Sequence, residues 1–258
     1  MIKKRSIPLD AEILLSPSFK SPDAFADLIE DFLINLTTFS PRRWGVVEPI
    51  NLELSMQDIR CVLQTGEGNI MWKRNASPKG WGKFKKRTNP LYGPQFANIY
   101  ISVSVENQNQ VADFIFYAKH LSEWVGVEYA CCDSLTENYK PVAFVNGLAP
   151  YQTSIFVPTF KLTKCLPDIL WSQIFGPAYV KLIGLEKLLS APAYKVEQLG
   201  PEAVYLQLSE SVFDMHDHYE AVDAVRCQVK RHLDDNIFFN PNYREDHVYR
   251  VPTFKFPD

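Results

Sequence analysis

The chain has 258 residues, of which 46% are hydrophobic and 22% are charged, and its formal net charge is −3. This composition excludes a disordered chain, because there is ample apolar surface to bury and no excess of one charge. The length suits one large domain or two small ones with a sizeable core. So small a net charge gives no whole-chain signal for attraction to nucleic acid or to an anionic membrane.

The N-terminal residues are basic, but no apolar stretch follows them, because Asp10 and Glu12 interrupt the region where a signal peptide would be apolar. No segment is long and apolar enough to predict a transmembrane helix. The cysteines are odd in number and lack CxxC spacing, which is typical of free thiols in a reducing compartment. They are Cys61, Cys131, Cys132, Cys165 and Cys227. We therefore expect a cytoplasmic protein that has no contact with a membrane.

Helical and strand periods alternate along the first part of the chain. Residues 21–36 begin with a Ser-Pro pair suited to a helix start and continue with apolar residues at helical spacing. Residues 50–54 alternate as a short strand, and a serine-capped helix is predicted over 55–64. Residues 68–74 predict a strand followed by a loop rich in Gly, Pro and Lys. The clearest strand pattern is at 99–105.

The second part of the chain is less regular at first. A helix is predicted over 108–125, whereas 140–160 contain prolines and no sustained helical period. A further helix is expected at about 178–189, and an alternating strand at 204–208. The last helix is expected at 217–233, with a row of valines facing inward.

These elements do not repeat as regular βαβ units, so the sequence predicts an α+β fold. We expect a mixed or antiparallel sheet packed with several amphipathic helices. The whole chain, 1–258, is interpreted as one domain. The alternative is a pair of intimately packed lobes at about 1–139 and 140–258.

The chain lacks the usual catalytic motifs, since it has no GxSxG, P-loop, GxGxxG or HExxH sequence. His120 could act as a base towards Cys131 or Cys132, but no spacing shows that these residues meet. A hydrolase or metal site around His216 and His218 stays as a minor alternative, because ligands so close in sequence rarely converge. We expect no enzyme activity, no cofactor and no metal.

Charge is strongly segregated along the chain. The stretch from Glu197 to Asp223 holds seven carboxylates and no lysine or arginine. The stretch from Gly68 to Val105 holds seven lysines and arginines and no acidic residue. Two stretches of opposite charge can pair with each other or present two faces to a charged partner.

One long segment, from Phe175 to Tyr194, resembles a signature of the immunity protein 52 family of polymorphic-toxin and type VI secretion systems, which includes TsiT-like antitoxins. Shorter segments are similar as well, and the likeness covers most of the chain from about residue 40. They are Trp44-Gly45, Ile70–Arg74 with Ser77-Pro78, Lys230–Leu233 and Tyr249–Pro252.

The resemblance implies an α+β protein that binds and neutralises a cognate toxin in bacterial competition. TsiT-like members are linked to nuclease-type toxins that act in the cytoplasm. The family pattern supplies no catalytic site to transfer. Many of its motif residues, such as Gly176, Pro177 and Leu188, are types that form turns or fill cores.

A nuclease has a basic substrate cleft, and an acidic surface can occupy it in place of phosphates. The acidic stretch is therefore the first candidate for the surface that binds the toxin. Its candidate residues are Glu210, Asp214, His216, Asp217, His218, Glu220 and Asp223.

A basic, aromatic loop at 72–87 is the second candidate for toxin binding, because Trp and Arg are favoured binding residues. The residues concerned are Trp72, Lys73, Arg74, Trp81, Lys83, Lys85, Lys86 and Arg87. The alternative function for this loop is a nucleic-acid-binding module that grips phosphates and stacks bases.

Overall fold

The computed structural model describes residues 5–87, 96–137, 162–244 and 246–255. Ten strands form a single sheet in the order β3-β2-β4-β5-β6-β1-β7-β8-β10-β9, and all neighbouring pairs are antiparallel. The predicted α+β class is confirmed, and the sheet is antiparallel rather than mixed. The strands are β1 (Ile7–Leu15), β2 (Arg43–Gly45), β3 (Leu52–Glu53), β4 (Asn69–Arg74), β5 (Lys79–Lys85), β6 (Ala97–Val105), β7 (Val127–Asp133), β8 (Ser172–Phe175), β9 (Lys195–Gln198) and β10 (Val204–Gln207).

Seven α-helices accompany the sheet in the described ranges. They are α1 (Pro22–Asn35), α2 (Met56–Gln64), α3 (Gln108–Trp124), α4 (Pro177–Ile183), α5 (Leu185–Leu189), α6 (Asp214–Asp217) and α7 (Tyr219–Leu233). None of them is long and apolar enough to cross a membrane.

Helices α1 and α3 pack on one face of the sheet through aromatic rings. The Phe32 ring of α1 lies 4.9 Å from that of Phe84 on β5 and 5.6 Å from that of Tyr117 on α3. It also contacts Trp72 of β4 at 5.8 Å. All four side chains are buried. Burial of such large rings is the main stabilising contribution of this half of the core.

The opposite face is covered by a second aromatic group centred on Tyr179 of α4. Its ring lies 5.7 Å from that of Tyr129 on β7 and 5.8 Å from that of Phe175 on β8. Strand β1 pairs Ile13 with Ile99 and Leu14 with Tyr129. Because successive strand residues point to opposite faces, this register separates the two aromatic groups.

Two of the predicted helix starts, at Ser21 and Ser55, are confirmed in detail, whereas the last helix, expected from 217, begins at Tyr219 after the short helix α6. The Ser21 hydroxyl accepts a hydrogen bond from the Ala24 N–H, and that of Ser55 accepts one from the Asp58 N–H. These bonds satisfy amide donors that the first helical turn leaves unpaired. The predicted helix at 108–125 and strand at 99–105 correspond to α3 and β6.

Two predicted elements differ from the structure. The loop expected after Arg74 is wrong in its greater part, because Lys79–Lys85 form the interior strand β5. The helix expected at 178–189 is broken into α4 and α5 at Gly184, whose φ of 102° is incompatible with a continuous helix. The prediction for 140–160 lies outside the described residues.

The two alternative lobes would divide at about residue 140, between β7 and β8. These two strands pair directly, so the sheet is continuous across that position. The organisation of 1–258 as one domain or two lobes stays a prediction.

Gly82 allows β5 to fit between its neighbours. A Cβ atom at this position would lie 2.3 Å from the Tyr100 carbonyl oxygen and 2.4 Å from the Trp72 ring. The backbone of β6 cannot move away without breaking the ladder. We expect Gly82→Ala to lower the free energy of unfolding by about 3 kcal/mol, measured by urea denaturation. Gly68→Ala is the matched control, since its nearest neighbour would be 3.5 Å away. Equal stability of the two variants would contradict the prediction.

Candidate functional site

The acidic stretch is distributed over β9, the turn after β10, and helices α6 and α7, and part of it lines an open groove of about 590 Å³. We call this feature the acidic groove. Its lining residues are Pro192, Ala193, Tyr194, Leu208, Ser209, Glu210, Asp214, His218, Ala221, Val222 and Val225.

The groove has an apolar floor. Leu208, at the end of β10, and Val222, on the inner side of α7, are buried there. The Leu208 N–H donates to the Trp171 carbonyl at 2.9 Å, and this bond holds Leu208 against the sheet. Tyr194 stands on the wall with 56% of its surface exposed. A tyrosine in this position offers a partner a large apolar ring and a hydroxyl.

Hydrogen bonds fix the turn that connects β10 to α6. The Gln108 side-chain oxygen, at the start of α3, accepts from the Ser211 hydroxyl and from the Val212 N–H, each at 3.1 Å. The Asp214 carboxylate accepts from the Ser211 N–H at 3.2 Å. Glu210 therefore lies on a turn with a defined conformation.

The carboxylates of this region fall into two groups. Glu210 and Glu220 have no ion-pair or hydrogen-bond partner for their carboxylates within the described ranges. By contrast, Asp217 pairs with Arg5 at 2.5 Å, and Asp223 pairs with Arg226 at 2.9 Å. The surface that a partner meets is thus less negative than the sequence stretch suggests.

Glu197, the first carboxylate of the stretch, belongs to β9 and lies outside the lining of the groove. It accepts a hydrogen bond from Lys119 at 2.6 Å and pairs with Lys195 at 3.2 Å. The hydrogen bond from Lys119 makes the largest contribution to lowering the pKa of the Glu197 carboxyl, and Lys195 lowers it further.

His216 and His218 are neighbours in sequence with different roles. The Nε2 atom of His216 lies 2.7 Å from the Ser134 hydroxyl, which donates its proton to the Pro8 carbonyl at 2.5 Å. The imidazole must then donate to this hydroxyl, and burial lowers the pKa of His216, which favours its neutral form. Ser134 is buried, and its hydroxyl already donates to one group and accepts from another. The pair is therefore not arranged as a nucleophile and its base. His218 instead lines the acidic groove.

No group of three His, Cys, Asp or Glu side chains that could hold a metal ion occurs within the described ranges. His120, the other candidate base, lies 3.1 Å from Asp31 and stacks on Trp124. The two cysteines proposed to meet it are buried in β7, where burial raises the pKa of both the Cys131 and the Cys132 thiols. A thiol with a raised pKa is a poor nucleophile.

A buried arginine on the inner side of α7, Arg226, was not among the residues predicted from the sequence. Arg226 is 2% exposed, and its Nε donates to the Ile169 carbonyl at 2.8 Å. Its guanidinium lies 4.0 Å from the carboxylate of Asp133, which is fully buried. Burial raises the pKa of Asp133 to about 7, and Arg226 partly opposes this rise. The available signal was the position of Arg226, one helical turn after Val222 on the inward row of α7.

The basic stretch at 72–87 forms the hairpin of β4 and β5, whose side chains alternate between the two faces of the sheet. Trp72 is buried against Phe32, so its predicted role as a contact residue is wrong. Arg74 donates to the carbonyls of Ser40 and Ser77, at 2.7 and 3.1 Å. The alternation thus removes both residues from a common binding surface.

The remaining second-choice residues stay nearer to solvent. Trp81 is 39% exposed and lines a groove of about 370 Å³ with Lys73 and residues 48–51. Lys83 lies over the Tyr100 ring, 5.5 Å from its centroid, and burial lowers the pKa of Lys83. Lys85, Lys86 and Arg87 are partly buried at the end of β5.

No family model and no curated protein matches the chain. Among solved structures, the chain is similar to a type VI secretion system protein of Pseudomonas aeruginosa, with 11% identity, a TM-score of 0.48 and coverage of 90% of this chain and 86% of that one. It is also similar to a chain from the complex of the toxic C-terminal tip of CdiA from Pseudomonas aeruginosa with immune protein. There the identity is 8%, the TM-score is 0.31, and the match covers 53% of this chain and 92% of that one. Both TM-scores lie below 0.5, which is too low for either likeness to assign a function.

The buried pair of Arg226 and Asp133 gives a testable prediction. Arg226→Met leaves the Asp133 carboxylate buried without its cation, and we expect a loss of about 3–5 kcal/mol in the free energy of unfolding at pH 8. The loss should be smaller at pH 5, because a carboxyl whose pKa is raised binds its proton in the folded state as the pH falls. Urea denaturation at the two pH values measures both effects.

The control for this prediction is the double variant Arg226→Met with Asp133→Asn, which removes both charges. It should recover most of the stability that the single variant loses. A loss that is the same at both pH values, or that the second substitution leaves unchanged, would show that packing of the arginine stem is responsible.

Proposed function

We propose that this chain is an immunity protein that binds a cognate antibacterial toxin, of nuclease type, and neutralises it by direct contact through the acidic groove. The observation that carries the proposal is the carboxylate of Glu210, which has no ion-pair partner among the described residues and shares its groove with the exposed ring of Tyr194. The resemblance of 175–194 to immunity proteins supports the same function.

The chemistry of the groove suits a lysine or arginine side chain of a toxin. The aliphatic stem of such a side chain gains by covering apolar surface, here the exposed ring of Tyr194 and the partly exposed Val225, while its charged end remains close to a carboxylate. Among the described residues, no cation pairs with Glu210, so a partner cation meets no competing ion pair there. Opposite charges also steer the two proteins together, which speeds association.

In this proposal, the chain inhibits by occupying the site where the toxin would place phosphates. A nuclease needs basic residues in its substrate cleft, and a carboxylate surface competes for them. Binding and exclusion of the nucleic acid suffice, so the chain needs no catalytic residues of its own.

The structure of the β4–β5 hairpin supports the nucleic-acid-binding alternative for 72–87 less well than it would if the basic and aromatic side chains shared one face. Phosphate contacts and base stacking require basic and aromatic side chains on one accessible surface. Trp72 and Phe84 are buried, which leaves Trp81 as the exposed aromatic ring of this segment. An electrophoretic mobility shift that weakens steeply with salt would favour the alternative.

We expect the double variant Glu210→Lys, in the acidic groove, and Glu220→Lys, beside it on the first turn of α7, to weaken toxin binding by roughly 100-fold or more, because like charges then face each other at the interface. Isothermal titration calorimetry with the product of the adjacent gene, taken as the candidate toxin, measures the affinity. Rescue of growth on co-expression gives a second readout. Asp217 and Asp223 are less suitable targets, since each holds an arginine of the fold.

The matched control reverses two carboxylates elsewhere on the molecule that have no ion-pair partner within the described ranges, Glu48 between β2 and β3 and Asp58 on α2. Glu48→Lys with Asp58→Lys should retain wild-type affinity and rescue. If the Glu210 and Glu220 variant binds as tightly as wild type, the acidic groove is not the interface. If the wild-type chain neither binds nor rescues, the immunity function itself is refuted.

A further inference from the structure

Helices α1 and α3 run antiparallel beside each other, and two side-chain hydrogen bonds join them. The His120 Nε2 lies 3.1 Å from the Asp31 carboxylate, and the Thr38 hydroxyl, just beyond α1, donates to the Asp113 carboxylate. Residue 31 therefore lies beside 120, and 38 beside 113. Between these two hydrogen bonds, α1 and α3 together present a surface that faces away from the sheet.

Two large apolar side chains lie between the hydrogen bonds and are exposed. Ile34 follows Asp31 by three residues on α1, and its exposed fraction is 66%. Phe116 precedes His120 by four residues on α3, and its exposed fraction is 69%. Residues three or four apart share a helix face, so both belong to the strip defined by the hydrogen bonds.

The strip continues one turn further along α3. Trp124 is 47% exposed and stacks on the His120 ring, with centroids 5.8 Å apart and an interplanar angle of 17°. We call the strip of Ile34, Phe116, His120 and Trp124 the apolar seam. It shares no residue with the acidic groove.

Packing of the hydrophobic core does not account for the exposed side chains of the apolar seam. Helix α3 buries its inner side against the sheet through Val111, Phe114, Tyr117, Ala118 and Leu121. The side chains of Ile34 and Phe116 project from the other side and add little to the stability of the fold. Aligned exposed apolar side chains on a helical surface are typical of an interaction site, and aromatic residues supply much of the binding energy at such sites.

Charge around the apolar seam restricts what can bind there. Helix α1 has four carboxylates and no lysine or arginine, and Arg60 of the adjacent helix α2 pairs with two of these carboxylates. Helix α3 has two carboxylates, Asp113 and Glu123, and one lysine, Lys119, which is paired with Glu197. Surfaces with like charge repel, so this layer disfavours a second copy of the chain and an anionic lipid surface.

We propose that the apolar seam is a docking surface for a protein segment that presents apolar side chains flanked by lysine or arginine. The apolar groups cover Ile34 and Phe116, and a cation stacks on Trp124 or pairs with Glu123. This surface does not depend on the proposed toxin-binding function and provides a second, separate contact region.

The probe is a fluorescein-labelled amphipathic helical peptide with leucines on one side and lysines flanking them, titrated with the full chain and followed by fluorescence anisotropy. We expect Phe116→Ser with Trp124→Ser to weaken binding at least tenfold. Both residues are exposed, so the fold should persist, and circular dichroism checks it. Phe116→Ser alone, which keeps the stacking on His120, should weaken binding to a smaller extent.

Two comparisons make the test specific. Val248→Ser removes an apolar side chain that is 82% exposed elsewhere on the chain and should leave binding unchanged. A peptide with glutamates in place of lysines should bind at least tenfold more weakly. Equal binding by the double variant, or by the glutamate peptide, would overturn the proposal.

Other occupants give distinct results, each of which overturns the proposal. A wild-type dimer in analytical ultracentrifugation that Phe116→Ser dissociates would identify a second copy as the occupant. Binding to phosphatidylglycerol vesicles that requires Trp124 would identify a lipid surface. Growth rescue with the cognate toxin depends on the acidic groove, so failure of one proposal is separable from failure of the other.

Discussion

Strand β1 is the element on which the rest of the structure depends, because it hydrogen-bonds along both edges. It pairs with β6 over its whole length, Ile7–Leu15, and with β7 on its other side. The N-terminal strands β2 to β6 and the later strands β7 to β10 thus become one sheet. The register of β1 also sets which residues of β7 face each helical layer, and Ser134, at the end of β7, bonds to Pro8 of β1 and to His216 of α6. The position of α6, and with it one wall of the acidic groove, follows from this pairing.

Elements with a strong local pattern could be predicted from sequence. Ser21 and Ser55 identified two helix starts because capping depends on residues a few positions apart. The hairpin strand β5 could not be found in the same way. Its glycines at 80 and 82 favour a loop in isolation, yet here they permit close approach of β6 and the Trp72 ring. Tertiary packing overrides local preference at such positions.

The same distinction applies to the candidate site. The charge of the acidic stretch could be read from the sequence, but its distribution on the surface could not. Asp217 and Asp223 are neutralised by Arg5 and Arg226, which lie at very different sequence distances. Glu210 and Glu220 are the better candidates because, within the described ranges, neither carboxylate is paired in this way. Arg226 also shows that a charge on the inward row of a helix is a signal of a buried ion pair.

The net charge of −3 conceals a separation of charge across the sheet as well as along the chain. Lys79, Trp81, Lys83 and Lys85 alternate with Gly80, Gly82 and Phe84 on β5, and Phe84 faces Phe32 of α1. The three lysines therefore project from the face opposite to α1 and α3, two helices that together hold six carboxylates, of which two are paired with Arg60 of α2. The two faces thus differ in charge in this half of the sheet, whereas the acidic groove lies at the other end, beside β10. A basic partner that approaches the hairpin half is drawn to the α1 and α3 face and repelled from the lysines of β5.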